Sequence, residues 1–475
     1  MSSDYPPTLA NLNLHDFDHN PSIYATLKSI RKATLSIPNR LQSILSDASF
    51  AKSISQEYDL PLVANERCGS WYIKPSDKIG SAYFKSTDGH HGQWNFSLRR
   101  LNLQLLPILG SHGGAVVVDS TRRGKSLPDS FSKTVPIWVA VINRVLFPGL
   151  KYYHALQHPP APESLGLSEI SQIEAKLDDF AQSFTQLGLD LSMLRTQLKF
   201  PIHIIWEFNG RSGFGIENDE DDEDTWETEL CSTSSEDRHV NNLVLCSASR
   251  RVRGAEASEG GYIQGAGDDS EGWSHGLTAQ TFWNHQSLLM HTPEEQLEAL
   301  IETLSQQDED ETRGEVTAVR ISPTTQLFIG AGYIGKAHEY DLVVNSENSD
   351  QDQDQPTGPN VLNLKCRSGK LGSKDLRENL PIAATAISTQ LRKDSSSRIL
   401  VTCATGRDLS VGVIVAVLCV EYNDRGELSQ DSVSRLIDKS LVKQRLAWIT
   451  SSKPDANPSR ATLQAVNSFL MRRPD

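Results

Sequence analysis

Apolar and polar positions along the chain follow two different periods. Short apolar runs that end abruptly in polar residues predict buried strands at Ala115–Val118, Pro201–Phe208, Asn241–Ser249, Val316–Ile321, Leu327–Ile329, Leu342–Val344, Val361–Leu364 and Ile399–Thr402. Helical spacing predicts helices over Pro21–Leu45, with Pro38 dividing that segment, and over Phe96–Leu109. Ser168–Leu194 reads as a helical pair with Ser168 as N-cap. Further helices are expected at Pro293–Leu304, Asp375–Leu391, from about Ser410, and at Ser440–Ser451 and Ala461–Met471. Strands interleaved with helices place the chain in the α/β class. With 475 residues it exceeds one ordinary core. The expected layout is an unstructured lead over 1–20 and a mixed α/β domain over 21–305. An acidic boundary near Gln306–Gly314 leads to a smaller α/β domain over 315–475. No apolar run reaches membrane-spanning length.

Three polar clusters interrupt this pattern in the first domain. The central one follows the Ala115–Val118 run and comprises Asp119, Ser120, Thr121, Arg122, Arg123, Gly124 and Lys125. Hydroxyls and cations can grip phosphate oxygens, a glycine lets backbone approach a ligand, and the acid can hold a cation or take a proton. A solvated loop between two apolar runs accounts for the same residues. The second cluster is Lys85, Ser86, Thr87, Asp88, Gly89 and His90, followed by His91. Its Asp-Gly pair signals a turn, but a turn does not explain the Lys, hydroxyls and His crowded onto it. Adjacent histidines diverge on an extended chain and make a poor metal pattern. The third is Gln264, Gly265, Ala266, Gly267, Asp268 and Asp269. Its glycines expose backbone N–H groups, and two adjacent acids can bind hydrated Mg²⁺; the alternative is a flexible acidic loop. It has neither a Rossmann nor a Walker layout.

Charge changes the picture through its distribution. The chain carries −14 overall. Three acidic runs, 217–237, 308–315 and 347–354, together carry −19, which leaves the remainder near +5. These runs read as disordered loops, and the folded body is basic enough to meet RNA. Six cysteines are scattered without CxxC spacing. That argues for a reducing compartment, with cytoplasm expected and the nucleus as the alternative, and against a disulfide framework or zinc ribbon.

In the C-terminal part, the Ile399–Thr402 strand runs into Cys403, Ala404, Thr405, Gly406, Arg407, Asp408, Leu409 and Ser410 before an apolar helix. Strand, turn and helix in this order present backbone N–H groups to an anion. The turn resembles the signature loop of the protein tyrosine and dual-specificity phosphatases, which reads His-Cys, five residues, Arg-Ser. Cys403, Gly406 and Ser410 match it. Leu409 stands where the phosphate-gripping arginine belongs and Thr402 where the histidine does. The resemblance implies a phosphatase-like fold that has lost its bidentate clamp and its help for a thiolate, while Cys403, Thr405, Gly406, Arg407 and Ser410 are expected still to hold a phosphate.

The motifs STDGH, VVVDSTRRGK with SKTVPIW, YIQGAGDD and this degenerate loop occur in that order. In combination they resemble the initiator-tRNA phosphoribosyltransferases of fungi and plants, over nearly the whole chain from about Ser29. That resemblance implies transfer of a phosphoribosyl group from 5-phosphoribosyl-1-pyrophosphate to the 2′-hydroxyl of a T-stem adenosine of initiator methionine tRNA, at tRNA position 64. The bulky, charged product keeps the initiator out of elongation. Asp119, Asp268 and Asp269 are then the expected catalytic acids, Asp268 and Asp269 also the expected Mg²⁺ ligands, and the rest of the three clusters the expected substrate contacts. No stable protein partner is implied. The competing readings are an active phosphatase and a non-catalytic tRNA-binding pseudo-phosphatase.

Overall fold

The computed structural model describes residues 35–209, 239–252, 260–312, 318–332, 337–347, 360–367, 369–429 and 437–471. The expected lead over 1–20, residues Lys28, Arg31 and Lys32 of the first expected helix, the acidic run 217–237 and positions 348–359 lie outside the described residues. The chain forms two compact units. The first takes in the chain up to Phe96, Leu105–Asp178 and Leu191–Ser305. The second takes in Ser97–Gln104, Asp179–Asp190 and the chain from Gln306 onward.

The first unit opens with helix α1 (Ile37–Tyr58). Pro38 sits in its first turn and does not divide it, because a proline there gives up an N–H that has no helical partner anyway. Ser36 caps the helix, its Oγ accepting from the Asn39 amide. The elements that follow along the chain are β1 (Leu62–Asn65), β2 (Lys78–Ala82), α2 (Leu105–His112), β3 (Gly114–Asp119), α3 (Val135–Leu146), α4 (Leu167–Thr185, its last turns counted in the second unit), α5 (Leu191–Leu198), β4 (Ile202–Phe208), β5 (Asn241–Ser247), α6 (Ala279–Asn284), α7 (Gln286–His291) and α8 (Glu294–Thr312, its end likewise counted in the second unit). Of the helix expected over Phe96–Leu109, only α2 forms. Asn102 takes a left-handed conformation at φ 52°, which no α-helix accommodates. The helix expected over Pro293–Leu304 instead continues to Thr312, through much of the acidic stretch read as a boundary.

The five strands are parallel and ordered β2-β1-β3-β5-β4. Every residue of β3 is buried, as expected of a central parallel strand covered on both faces, which is why it reads as an unbroken apolar run. β4, at the edge, alternates instead. One face of the sheet contributes Val116, Val118, Val244 and Cys246 to a core with Leu41, Ile44, Ala51 and Ile54 of α1 and Phe282, Leu289, Leu297 and Ile301 of α6–α8. From β1 the chain leaves toward β2 on one side; from β3 it leaves toward β4 on the other. The adjacent β1 and β3 therefore flank a topological switch point, where a crevice opens beyond the carboxyl ends of the strands. Their register pairs Ala64 with Val118, so the next step sets Asn65 level with Asp119.

The second unit has its own sheet, from β6 (Val319–Arg320), β7 (Leu327–Ala331), β8 (Leu342–Glu347), β9 (Val361–Cys366) and β10 (Ile399–Cys403), ordered β6-β7-β10-β8-β9. Only β6 runs antiparallel, against β7. Helices α9 (Gly369–Lys393), α10 (Leu409–Glu421), α11 (Lys439–Ser452) and α12 (Arg460–Leu470) complete it. The central strand β10 is buried throughout and leads into α10, which is buried on nearly every side. The C-terminal carbonyls of α10 need donors. The buried Arg445 supplies them, Nε to the Leu418 carbonyl at 3.3 Å and Nη2 to the Tyr422 carbonyl at 3.1 Å.

Close packing behind the switch point is testable. A Cβ on Gly69 would lie 2.3 Å from the Val118 carbonyl oxygen and 3.1 Å from the Ala64 Cα, both rigid backbone. Gly69→Ala is therefore expected to destabilise the protein by about 1–3 kcal/mol, as overpacking does. Gly149→Ala, with nothing within 4 Å, should leave thermal melting unchanged. Equal melting of the two variants would contradict this packing.

Candidate functional site

The site is built where strands stop. β1 ends in Asn65, whose amide Nδ2 donates to Asp119 Oδ2 at 2.7 Å and to the Phe84 carbonyl at 3.1 Å, while its Oδ1 accepts from the Phe84 amide at 2.7 Å. β3 ends in Asp119, fully buried. Its carboxylate accepts from the Ser120 amide (2.8 Å), Ser130 Oγ (2.8 Å), Cys68 Sγ (3.0 Å) and Arg67 through Nη2 (2.8 Å) and Nε (3.3 Å), in addition to Asn65. Ser130 reaches it from a single π-helical turn, Ser130–Thr134, that feeds α3. Local widening of this kind is common at functional sites.

The third cluster closes on the same point. Asp268, also buried, takes the Ser120 hydroxyl on Oδ1 and faces Arg67 Nη1 at 3.1 Å and Arg122 Nε at 3.6 Å on Oδ2. Gln264 bridges the loops: Oε1 accepts from the Gly124 and Val252 amides, and Nε2 donates to the Lys125 carbonyl at 2.7 Å. Gly265 is at φ 66°, and a Cβ there would fall 2.7 Å from the Thr121 carbonyl oxygen, so only glycine lets the two loops approach this closely. Thr121 is held through both backbone groups by Ser249 Oγ, just past β5. The Gly267 amide donates to the buried Tyr72 hydroxyl at 2.8 Å.

The second cluster joins from β2. The Lys85 carbonyl accepts from Thr134 Oγ1 at 2.8 Å, and His90 Nε2 lies 3.7 Å from Asp129, which also meets Lys125 at 3.3 Å and Lys133 at 3.6 Å. Gly89 packs tightly on Asp129 and Thr134. All three clusters thus meet at the carboxyl end of one sheet, the second in a layer outside the buried acids.

The electrostatics follow from burial. Arg67 pays a desolvation cost, but the carboxylates of Asp119 and Asp268 around it outweigh that cost and raise its pKa, so it stays charged. Burial, reinforced by Asp268, pushes the Cys68 thiol up, which keeps it a protonated donor to Asp119 and no nucleophile.

As placed, Asp119 offers no free lone pair to a proton. Six donor contacts crowd a carboxylate that offers about four lone-pair sites. Asp268 and Asp269 do not form a cation cradle either. Arg67 and Arg122 already hold Asp268. Asp269, left-handed at φ 46° and 71% exposed, turns its own carboxylate to Arg122 Nη1 at 2.6 Å. Among the described residues no group of three metal-ligating side chains comes together. The donor set at this point is cationic, so the residues present do not fit Mg²⁺ as resident ligand.

Sequence reasoning missed Asn65, Arg67, Ser130 and Ser249. Asn65 ends and Arg67 follows a four-residue strand too short to mark them, unlike the longer apolar run that leads to Asp119. Around the site, Arg122, Lys125, Arg250 and Arg251 make a basic rim, with Arg250 over the Tyr262 ring at 4.6 Å. Tyr262 is anchored beneath by buried Asp47 of α1, its hydroxyl donating at 2.8 Å.

In the second unit, Leu409 is buried in the core and cannot be replaced functionally by Arg407, whose Nε turns to Asp455 at 3.1 Å. Cys403 Sγ lies 3.1 Å from Ser410 Oγ. The first amide of the loop, Ala404, donates to the Glu347 carboxylate at 2.9 Å. A phosphate at this loop therefore has to compete with an internal anion. The five described cysteines are all buried, and none of them forms a disulfide. No helix among the described residues is long and apolar enough to cross a membrane.

Comparison with known proteins places these features. The sequence profile of the Rit1 N-terminal domain matches residues 30–306, and that of the Rit1 DUSP-like domain matches residues 360–470. A tRNA A64-2′-O-ribosylphosphate transferase of Saccharomyces cerevisiae is 34% identical over 501 aligned positions, covering 95% of this chain and 96% of that protein. An uncharacterised Schizosaccharomyces pombe protein is 35% identical, over 91% and 94% respectively. Among solved structures, human DUSP28 is 20% identical at TM-score 0.25, covering 32% of this chain and 92% of its own. The Yvh1 phosphatase domain of Chaetomium thermophilum is 22% identical at TM-score 0.25, over 32% and 95%.

The loop geometry gives a direct expectation. Cys403→Ser keeps the size and the contact with Ser410, so it should leave the protein's activity and melting within error of the natural chain, measured side by side. Loss of activity in a folded Cys403→Ser protein would give this thiol a chemical role.

Proposed function

The chain belongs to the Rit1 family, and on that footing we propose that it transfers a 5-phosphoribosyl group from 5-phosphoribosyl-1-pyrophosphate to the 2′-hydroxyl of adenosine 64 of initiator tRNA. The observation that carries the reading is the 34% identity, over 95% of the chain, to a tRNA A64-2′-O-ribosylphosphate transferase. The site described above suits such a reaction in kind: a buried acid at a switch-point crevice, ringed by cations and hydroxyls.

In this reading the 2′-oxygen attacks C1 of the donor ribose, the C1–O bond to pyrophosphate breaks, and pyrophosphate leaves with the bonding electrons. The hydroxyl proton goes to Asp268. Asp268 suits this task better than Asp119 because, among the described residues, its Oδ2 meets two guanidinium groups, the Arg122 one long at 3.6 Å, and so keeps room for a proton. Arg122 and Lys125 stabilise the charge that develops on the leaving group. Ser120 and Arg67 hold Asp268 in place. Arg250 and Arg251 of the basic rim meet the tRNA backbone. Recognition of the T-stem rests on phosphate, 2′-hydroxyl and shape contacts, since the RNA major groove is too narrow for side chains.

The reading is tested by incubating the protein with 5-phosphoribosyl-1-pyrophosphate labelled in the ribosylphosphate and either initiator or elongator tRNA. Label should enter the initiator alone; no label in the initiator would refute the assignment. Binding of that tRNA should also weaken steeply between 50 and 200 mM salt, by roughly 10³-fold or more if six or so phosphates are neutralised. A flat response would mean that the rim does not touch RNA.

A further inference from the structure

Asp119, at the end of β3, and Asp268, in a loop, lie 149 positions apart in the sequence, yet one side chain holds both. Arg67 grips Asp119 with two nitrogens, at 2.8 and 3.3 Å, and reaches Asp268 with its third, Nη1, at 3.1 Å. Nη2 also donates to the Ser120 carbonyl. Four of the five N–H groups of a guanidinium are thereby assigned. Its neighbours leave little freedom. Asn65, two residues upstream, holds Asp119 from the other side, and Cys68, one residue downstream, donates to the same carboxylate. The guanidinium is three-quarters buried, with 24% of the side chain exposed.

We infer that Arg67 is the positioning residue of the transfer reaction: it fixes the Asp268 carboxylate relative to the rigid end of β3, by forking between Asp268 and the saturated Asp119. It acts through Asp268 and need not touch substrate. A planar fork is required for this. A lysine in its place supplies one point charge, which can meet either acid but cannot hold the two at a set separation. The role differs from that of Arg122, which also meets Asp268 but carries the exposed Asp269 on its other side and has no tie to β3.

The inference rests on the transferase reading, and the two fail separately. If the natural chain transfers no label to initiator tRNA, the function assignment fails. If the natural chain is active, Arg67→Lys tests the positioning role alone. Arg67→Lys is expected to melt within about 5 °C of the natural protein, to bind initiator tRNA and donor with unchanged KM, and to lose kcat by roughly 100-fold, the scale of a misplaced reacting group. In an Asp268→Asn background the same substitution should cost no further activity, because the group being positioned is gone. Added guanidinium ion should partly restore kcat to Arg67→Gly. Three outcomes overturn the inference: kcat within about threefold of the natural enzyme, a loss confined to KM for tRNA, or a collapse of the melting transition in Arg67→Lys. The last would make Arg67 a folding residue only.

Discussion

Two carboxylates, Asp119 and Asp268, are buried side by side at the carboxyl edge of the first sheet, and the rest of the site depends on keeping them there. Like charges removed from water repel strongly and lose their hydration, so the pair is tolerable only with a cation between them and donors on the remaining lone pairs. Arg67 is that cation. The donors come from Asn65 at the end of β1, from Ser120 and Ser130 past β3 and from Cys68. Each is a fixed point of the fold, so satisfying the charges also ties β1, β3 and the Gln264–Asp268 loop into one body. The chemistry and the architecture share the same bonds.

That coupling divides the labour between the acids. Asp119 spends its capacity on the scaffold. Asp268 is held by fewer contacts, from the Ser120 hydroxyl, Arg67 and Arg122. The second unit shows the complementary case. Its loop retains the cysteine, Gly406 and Ser410 of a phosphatase signature, but the position of the arginine has become core, as Leu409, and a carboxylate from β8 sits on the first loop amide. The backbone shape has outlasted the side chain that gave it phosphate chemistry. No arginine is left at the signature position to clamp a transition state.

Much of this was legible in the sequence. β3 and β10 announce themselves as unbroken apolar runs ending in Asp119 and Cys403, because central parallel strands are covered on both faces. The meeting of the 85–90, 119–125 and 264–269 clusters was inferable from their common vocabulary of hydroxyls, glycines, acids and cations. Arg67 and Asn65 were not legible, since β1 is only four residues long and leaves little periodic signal. Nor could sequence tell that the acid pair faces guanidinium groups and not a metal. Adjacent acids look alike until the chain brings Arg67 and Arg122 to them. Pro38 and Asn102 misled for local reasons, one because prolines begin helices as readily as they break them, the other because its left-handed backbone ended a helix that spacing alone supported.

The two buried acids have opposite roles, and comparing Asp119→Asn with Asp268→Asn measures this directly, by thermal melting and single-turnover transfer on the same preparations. Asp119→Asn turns an acceptor into a donor facing Arg67 and Asn65. It should cost about 3–5 kcal/mol and lower the melting temperature by roughly 10 °C, with transfer in the protein that remains folded reduced no further than in Arg67→Lys, whose anchor on β3 it weakens. Asp268→Asn should melt much closer to the natural chain while transfer falls by about 10²–10⁴-fold, the usual scale for losing a general base. If Asp119→Asn instead melts normally and abolishes transfer while Asp268→Asn stays active, Asp119 is the proton acceptor and the division of roles drawn from the hydrogen bonding is wrong.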